Sequence, residues 1–228
     1  MRRIAIEILI ILNSNPRSYK NLSAVEEEVS RIKSRKNLLL WYIADEPDGR
    51  DDPFDAVSLM YDKMYDVDGY HPVSLVLNCQ DHEFEGYATW ADIVMQDTYV
   101  IGINATYSVV WDTECTPDYG DCGCDNCVGE FEDISRRMDQ FGDRLRALGW
   151  ERTKAVWTVP QAFGGSSYWS RMPTGREWLV QSLLAVTHGA LGLFYPAPTR
   201  ISRLTTSIRD RPLERSNLER HQSCSNHS

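Results

Sequence analysis

Five apolar runs of similar length recur along the chain: Leu38 to Ala44, Val73 to Cys79, Ala91 to Asp97, Lys154 to Gln161 and Gly189 to Tyr195. Each is apolar almost throughout instead of alternating with polar residues. That is the pattern of strands buried on both faces, as in a parallel sheet covered by helices. Helical patterns lie between several of the runs. Asn21 to Lys33 opens on a cap residue, with acids early and basic residues in its last turn. Asp55 to Val67 carries apolar positions at helical spacing and stops at Asp68-Gly69, and Ile134 to Leu148 is amphipathic and stops at Gly149. Thr174-Gly-Arg-Glu opens a further helix that runs to His188-Gly189. Alternating helices and strands predict an α/β fold with right-handed crossovers. The stretch Asp81 to Trp90 is short and acidic, which predicts one abbreviated crossover, while Ile103 to Gly129 is a long insertion before its helix. No internal repeat is present.

The chain has 228 residues, 42% of them hydrophobic, with seven Trp, eleven Tyr and six Phe, enough for one sizeable core. Its formal net charge of −9 argues against nucleic acid or anionic membrane as a partner, because phosphate binding needs clustered Lys and Arg. Neutral or cationic substrates fit better. No apolar run reaches the roughly 18–20 residues of a membrane span. Met1-Arg-Arg followed by Ile4 to Leu12 imitates the basic start and apolar core of a signal peptide. Glu7 interrupts that run and no small-x-small cleavage site follows, so a strand is the preferred reading.

The run from Leu38 ends abruptly in Asp45-Glu46-Pro47. Trp41, Tyr42 and Ile43 suit a buried strand, and Pro47 stops it because it brings no backbone donor. Two adjacent carboxylates therefore sit at the carboxyl end of a parallel strand, the end where α/β folds bind ligands. Unpaired charge is costly in a core, so the pair marks either a functional site or an acidic strand-to-loop turn.

Four of the six cysteines, Cys115, Cys122, Cys124 and Cys127, cluster in the insertion. Two disulfides pinning a Gly/Asp-rich loop, in a secreted protein, are preferred over a zinc site, since one Cys-x-Cys-x-x-Cys with no nearby His is a poor ligand set. Cys79 is expected to be a buried free thiol and Cys224 unpaired. Asn21-Leu-Ser and Asn104-Ala-Thr are acceptor sequons for N-glycosylation, which would suit an extracellular protein. Residues 1–198 are read as one domain. From residue 199 onward six Arg face three acids with no clear strand or helix face, so 199–228 is read as a disordered tail or translated non-coding sequence, with a basic interaction tail as the sharper alternative.

Leu38-Leu-Leu-Trp-Tyr-Ile-Ala-Asp-Glu-Pro47 resembles the fourth-strand motif of the (β/α)8-barrel glycoside hydrolases of the large retaining clan, where the strand ends in Asn-Glu-Pro. Five further pieces resemble a group of secreted fungal barrel proteins in the same superfamily: His71 to Cys79, Ala91 to Tyr99, the cluster Cys122-Gly-Cys-Asp-Asn-Cys127, Ala155 to Gly164, and Trp169 to Trp178. The resemblance covers roughly Tyr19 to Tyr195. It implies a partial TIM barrel with strands matching the fourth to the eighth and a Cys-rich loop insertion. Ile4 to Leu12 would supply at best the third strand. A full barrel takes about 250 residues. An open one exposes sheet edges and core, so a truncated chain that does not fold stably is one of the readings.

What the resemblance implies about activity is hydrolysis of O-glycosidic bonds in a carbohydrate substrate, with Glu46 as general acid/base and no metal or organic cofactor. Asp45 stands where the family has Asn; beside Glu46 it would raise the apparent pKa of the pair, and as an ion it only accepts hydrogen bonds. Gln161 stands where the family's nucleophilic Glu ends the seventh strand, which leaves the retaining mechanism without its nucleophile there and points to substrate binding or to a hydrogen bond at a strand end. Asp97 ends the sixth strand and is the candidate base for a water, in the inverting manner. Tyr99, Phe163 and Trp169 follow strand ends and are candidates for sugar stacking, while Trp41 and Trp157 lie inside strands and are assigned to the core. Asp92 is expected to face away from the site, Arg171 and Glu177 to support a helix, and His188 to cap one. A non-catalytic carbohydrate-binding barrel is the rival reading.

Overall fold

The computed structural model describes residues 7–10, 22–116, 122–195 and Cys224. Its strands are β1 (Glu7–Ile10), β2 (Leu38–Asp45), β3 (Val73–Leu77), β4 (Ile93–Gln96), β5 (Tyr107–Ser108), β6 (Thr113–Glu114) and β7 (Ala155–Thr158). Five of them form a wholly parallel sheet in the order β1-β2-β3-β4-β7, and β5 and β6 make a small antiparallel hairpin. The crossovers are α1 (Leu22–Ile32), α2 (Phe54–Val67), the single-turn α3 (Phe84–Ala88) and α4 (Glu132–Ala147), with α5 (Gly175–Thr187) after β7. The abbreviated crossover expected between Asp81 and Trp90 is α3. The run from Gly189 forms a ladder along β7, with Leu191 N donating to Val156 O (3.0 Å) and Phe194 N to Thr158 O (2.8 Å).

Helical periodicity explains which faces are buried. Val25, Val29 and Ile32 of α1, Met60 and Met64 of α2, and Ile134, Met138, Phe141 and Leu145 of α4 pack on one face of the sheet. On its other face Leu40, Tyr42, Val76, Met95, Val159 and Phe194 pack on each other. Burial on both faces is why β3 and β4 read as unbroken apolar runs. Trp41 lies in this core, its indole N–H donating to Asp68 (2.9 Å).

Helix α5 departs from this rule. Thr174 and Glu177 close a capping box at its start, and Arg171 grips Glu177 with both guanidinium nitrogens. Yet its buried positions are Gln181, Ser182 and Ala185, while Leu179 (52%) and Leu183 (55%) stay exposed. His188 is its C-cap and pairs with Asp139.

All six cysteines are paired: Cys115–Cys122, Cys124–Cys127 and Cys79–Cys224. The first two bridges lie where the insertion was expected to be pinned. The third corrects the expectations of a free thiol at Cys79 and an unpaired Cys224. Apart from Cys224, the Arg-rich tail lies outside the described residues, as does Asn21. No described helix is long and apolar enough to cross a membrane.

Candidate functional site

The parallel strands deliver their carboxyl ends to one side of the sheet. Strand β2 leaves the ladder there with an irregularity in register between Tyr42 and Ala44, and Glu46 follows with its backbone N–H still on Val76 O (3.0 Å). Glu46 then adopts φ +50°, a left-handed conformation that is sterically disfavoured for any L-residue and more so before proline. A non-glycine residue held this way at a strand end is a strained position, of the kind that clusters at functional sites.

Glu46 is half-buried, and behind it Asp97 is buried at the end of β4. The Gln96 amide, braced by the Thr158 hydroxyl (2.6 Å) and Thr98 N–H (2.8 Å), fixes the backbone just before Asp97. No fixed donor reaches either Asp97 oxygen. Its carboxyl lies beside that of Glu46, and burial followed by the Glu46 charge holds the Asp97 pKa well above the usual carboxylate range. Neighbouring carboxylates resist joint ionisation, which favours the neutral form of Asp97.

Two tyrosines flank the pair. The Tyr42 hydroxyl donates to Asp45, and the Tyr99 hydroxyl interacts with Asp97. Burial, then the neighbouring carboxylates, raises both phenols well above their ordinary range, so they remain neutral donors. Asp48, buried one turn beyond Glu46, accepts from Gly49 N (3.0 Å), Asn78 N (3.3 Å) and Cys79 N (2.9 Å). Burial pushes it up to about 7 against the pull of those three donors. The approach depends on Gly49, where a Cβ would lie 2.5 Å from the Asn78 side-chain oxygen. Behind Asn78, buried Arg137 of α4 donates to the carbonyls of Asn78 (2.7 Å) and Asp125, tying β3 to the cysteine loop.

The structure thus brings Asp45, Glu46 and Asp97 together, and adds Tyr42 and Asp48, which sequence reading passed over. Tyr42 was legible only as a strand residue, and Asp48 as part of the turn after Pro47. Gln161 stands apart: it is wholly buried, its amide accepting from Ile101 N (2.8 Å) and donating to the carbonyls of Ile101 and Phe163 (3.0 Å each). Tyr99, Phe163 and Trp169 pack against one another beside Asp97, edge to face. Asp92 sits at the opposite end of β4, accepting from Val73 N (2.8 Å) and the hydroxyls of Tyr61 and Tyr65. Ligand atoms of Cys79, Asp125 and Cys224 lie within 4.8 Å of one another, but the sulfurs are joined to each other and so have no thiolate to offer a metal.

The fold resembles that of a putative α-L-fucosidase from Bacteroides thetaiotaomicron, at a TM-score of 0.50 and 13% identity over 78% of this chain and 52% of that one. Lower likenesses reach a β-D-glucuronidase from Dictyoglomus thermophilum (TM-score 0.48, 14% identity, 78% and 28% covered). A GH2 β-galacturonidase from Eisenbergiella tayi, bound to galacturonate, follows at 0.46 (14% identity, 80% and 30% covered). At these identities the likeness is one of fold. The chain spans about half or less of the length of these structures. No family model and no curated protein matches it.

Proposed function

We propose that the chain forms a (β/α)8-barrel-type domain of a secreted glycoside hydrolase and that it cleaves O-glycosidic bonds in a carbohydrate. The observation that carries this reading is the placement of Glu46 beside the buried Asp97 at the carboxyl ends of β2 and β4. Glycoside hydrolysis needs one carboxyl that holds a proton and one that does not, on either side of the anomeric carbon. Substrate entering at Glu46 must part the two carboxyls to the roughly 6.5–9.5 Å that an inverting reaction needs, with the proton on Glu46. Glu46 protonates the departing oxygen as the C–O bond breaks. Water entering between the two carboxyls attacks the anomeric carbon and loses its proton to Asp97. The half-buried position of Glu46 supports its role at the substrate, and Asp45, held by Tyr42, stands beside it. The disulfides support an oxidising, extracellular setting.

The experiment is turnover on a panel of aryl glycosides and oligosaccharides by the parent chain, Glu46→Gln and Asp97→Asn. Turnover in the parent that both variants lose supports hydrolysis. Carbohydrate binding without turnover in all three favours the rival, a non-catalytic binding barrel. The backbone-locked amide of Gln161 at the end of β7, where a retaining enzyme has its nucleophile, speaks for that rival.

A further inference from the structure

Cys79, just past the end of β3, is joined through its sulfur to Cys224. A carboxylate oxygen of Asp125, on the cysteine loop, lies within 4.8 Å of both sulfurs. Cys79 is 2% exposed and Asp125 is half-buried. A disulfide sulfur carries no hydrogen and offers a carboxylate nothing to bind. The backbone N–H of Gln80 donates to Asp125 Oδ2 (2.6 Å), which orients the carboxylate but does not explain why it stands against two sulfurs.

Cys79 and Asp125 are placed by bonds that do not involve the bridge. Cys79 N donates to Asp48 Oδ2 (2.9 Å). Arg137 donates to the carbonyls of Asn78 (2.7 Å) and Asp125, so one guanidinium spans both segments. Farther along the loop, Asp133 accepts from Gly129 N (2.8 Å) and Glu130 N (2.9 Å), which anchors it to the start of α4. Opening the bridge therefore leaves Cys79 and Asp125 side by side and frees Cys224 alone. The Cα atoms of the two cysteines are 5.5 Å apart. A tetrahedral zinc ion with sulfur at about 2.3 Å holds two thiolates about 3.8 Å from each other, which rotation of the side chains supplies from that backbone spacing.

We propose that Cys79, Cys224 and Asp125 form a redox-gated site for a thiophilic divalent cation such as zinc. Bridged, the cysteines bind no metal. Reduced, their two thiolates and the Asp125 carboxylate fill three corners of a tetrahedron, and water fills the fourth. This site goes beyond the carbohydrate reading and stands without it. A trialkylphosphine opens the gate with its atoms balanced. The S–S bond breaks, phosphorus is oxidised to the phosphine oxide with the oxygen of one water, and the two protons of that water go to the two sulfurs. Zinc then displaces both protons to solvent. Two sulfurs and one oxygen suit zinc, whereas calcium and magnesium take sets made of oxygen. The Gln80 N–H on Asp125 is the outer hydrogen bond that fixes a ligating carboxylate. The same two cysteines would thus fasten Cys224 to the end of β3 in either redox state, by a covalent bond or through the metal.

The test is titration with zinc against a chromophoric chelator, with and without a water-soluble trialkylphosphine, on the parent chain, Cys224→Ser and Asp125→Asn. The phosphine should add bound zinc to the parent. Cys224→Ser should bind one equivalent fewer per chain, and Asp125→Asn should hold that equivalent about 10-fold or more weakly. Zinc held only by Cys115, Cys122, Cys124 and Cys127 would survive Cys224→Ser undiminished, and that result overturns the inference. So does a reduced parent that takes up no zinc. Asp125→Asn keeps every cysteine and the bridge, so it serves even where Cys224→Ser fails to fold, and parent-like zinc affinity in it overturns the three-ligand site. Where reduction alone unfolds the parent, zinc added with the phosphine should restore its far-ultraviolet circular dichroism. Failure to restore it sinks the proposal as well.

Discussion

Glu46 and Asp97 come from strands that are not neighbours, with β3 between them, yet the Glu46 charge acts on Asp97 directly. The two lie side by side across the carboxyl end of β3, with the Tyr99 hydroxyl also at Asp97. The folded chain therefore holds protons that the unfolded chain releases above its ordinary aspartate value of about 4. The same holds for Asp48, raised to about 7.

The first prediction follows from the sign of those shifts. Both carboxyls are raised, so their contribution to stability is fully present below about pH 4 and is lost as pH rises through the folded values. Urea unfolding should show stability declining from pH 5 toward pH 8. Asp97→Asn supplies an amide that donates to Glu46 without a proton. It should flatten the decline and leave the variant more stable than the parent at pH 8. An unchanged slope would show that Asp97 does not carry the proton.

Glu46→Gln keeps the shape of the side chain and removes its acid. Turnover should fall by about 10²- to 10⁴-fold, the usual contribution of general acid–base catalysis, while oligosaccharide affinity is retained. Initial rates on an aryl glycoside and titration with the matching oligosaccharide measure the two separately.

Tyr42→Phe removes the hydroxyl that donates to Asp45 and leaves the ring packed on Phe194 (centroids 5.1 Å apart). Loss of a hydrogen bond to a charged acceptor should cost about 1.5–3 kcal/mol. Equilibrium unfolding at pH 7 reads this directly, and no loss would mean that water replaces the hydroxyl.

Arg137→Lys tests the link between β3 and the cysteine loop. The guanidinium fork serves two carbonyls at once, from Asn78 and Asp125, which a single ammonium does not reproduce. One buried carbonyl left unpaired should cost about 1–3 kcal/mol in the same unfolding experiment. Parent-like stability would show that the link is made elsewhere.

Much of the sheet was legible because its strands are buried on both faces and so carry unbroken apolar runs. Val73–Leu77 and Ile93–Gln96 lie inside the expected segments. The exit of β2 was legible for the same reason: Asp45-Glu46-Pro47 breaks such a run. The hairpin of β5 and β6 was not, since two-residue strands leave no periodicity. Nor were the inward Gln181 and Ser182 of α5, which reverse the usual facing. Asp48 escaped notice because its burial comes from a long-range approach to Asn78 and Cys79, a contact that nothing local encodes. The partner of Cys79 was hidden too: the two cysteines lie 145 positions apart.

That bridge turns everything between its two ends into a covalent ring. Asp97, Tyr99, Gln161, Phe163 and Trp169 lie within the ring, and Glu46 lies on the open arm before it. A protease that nicks the chain once between Cys79 and Cys224 therefore releases no fragment under oxidising conditions. The cut molecule keeps its mass and both halves of its ring, and only a reductant lets them part.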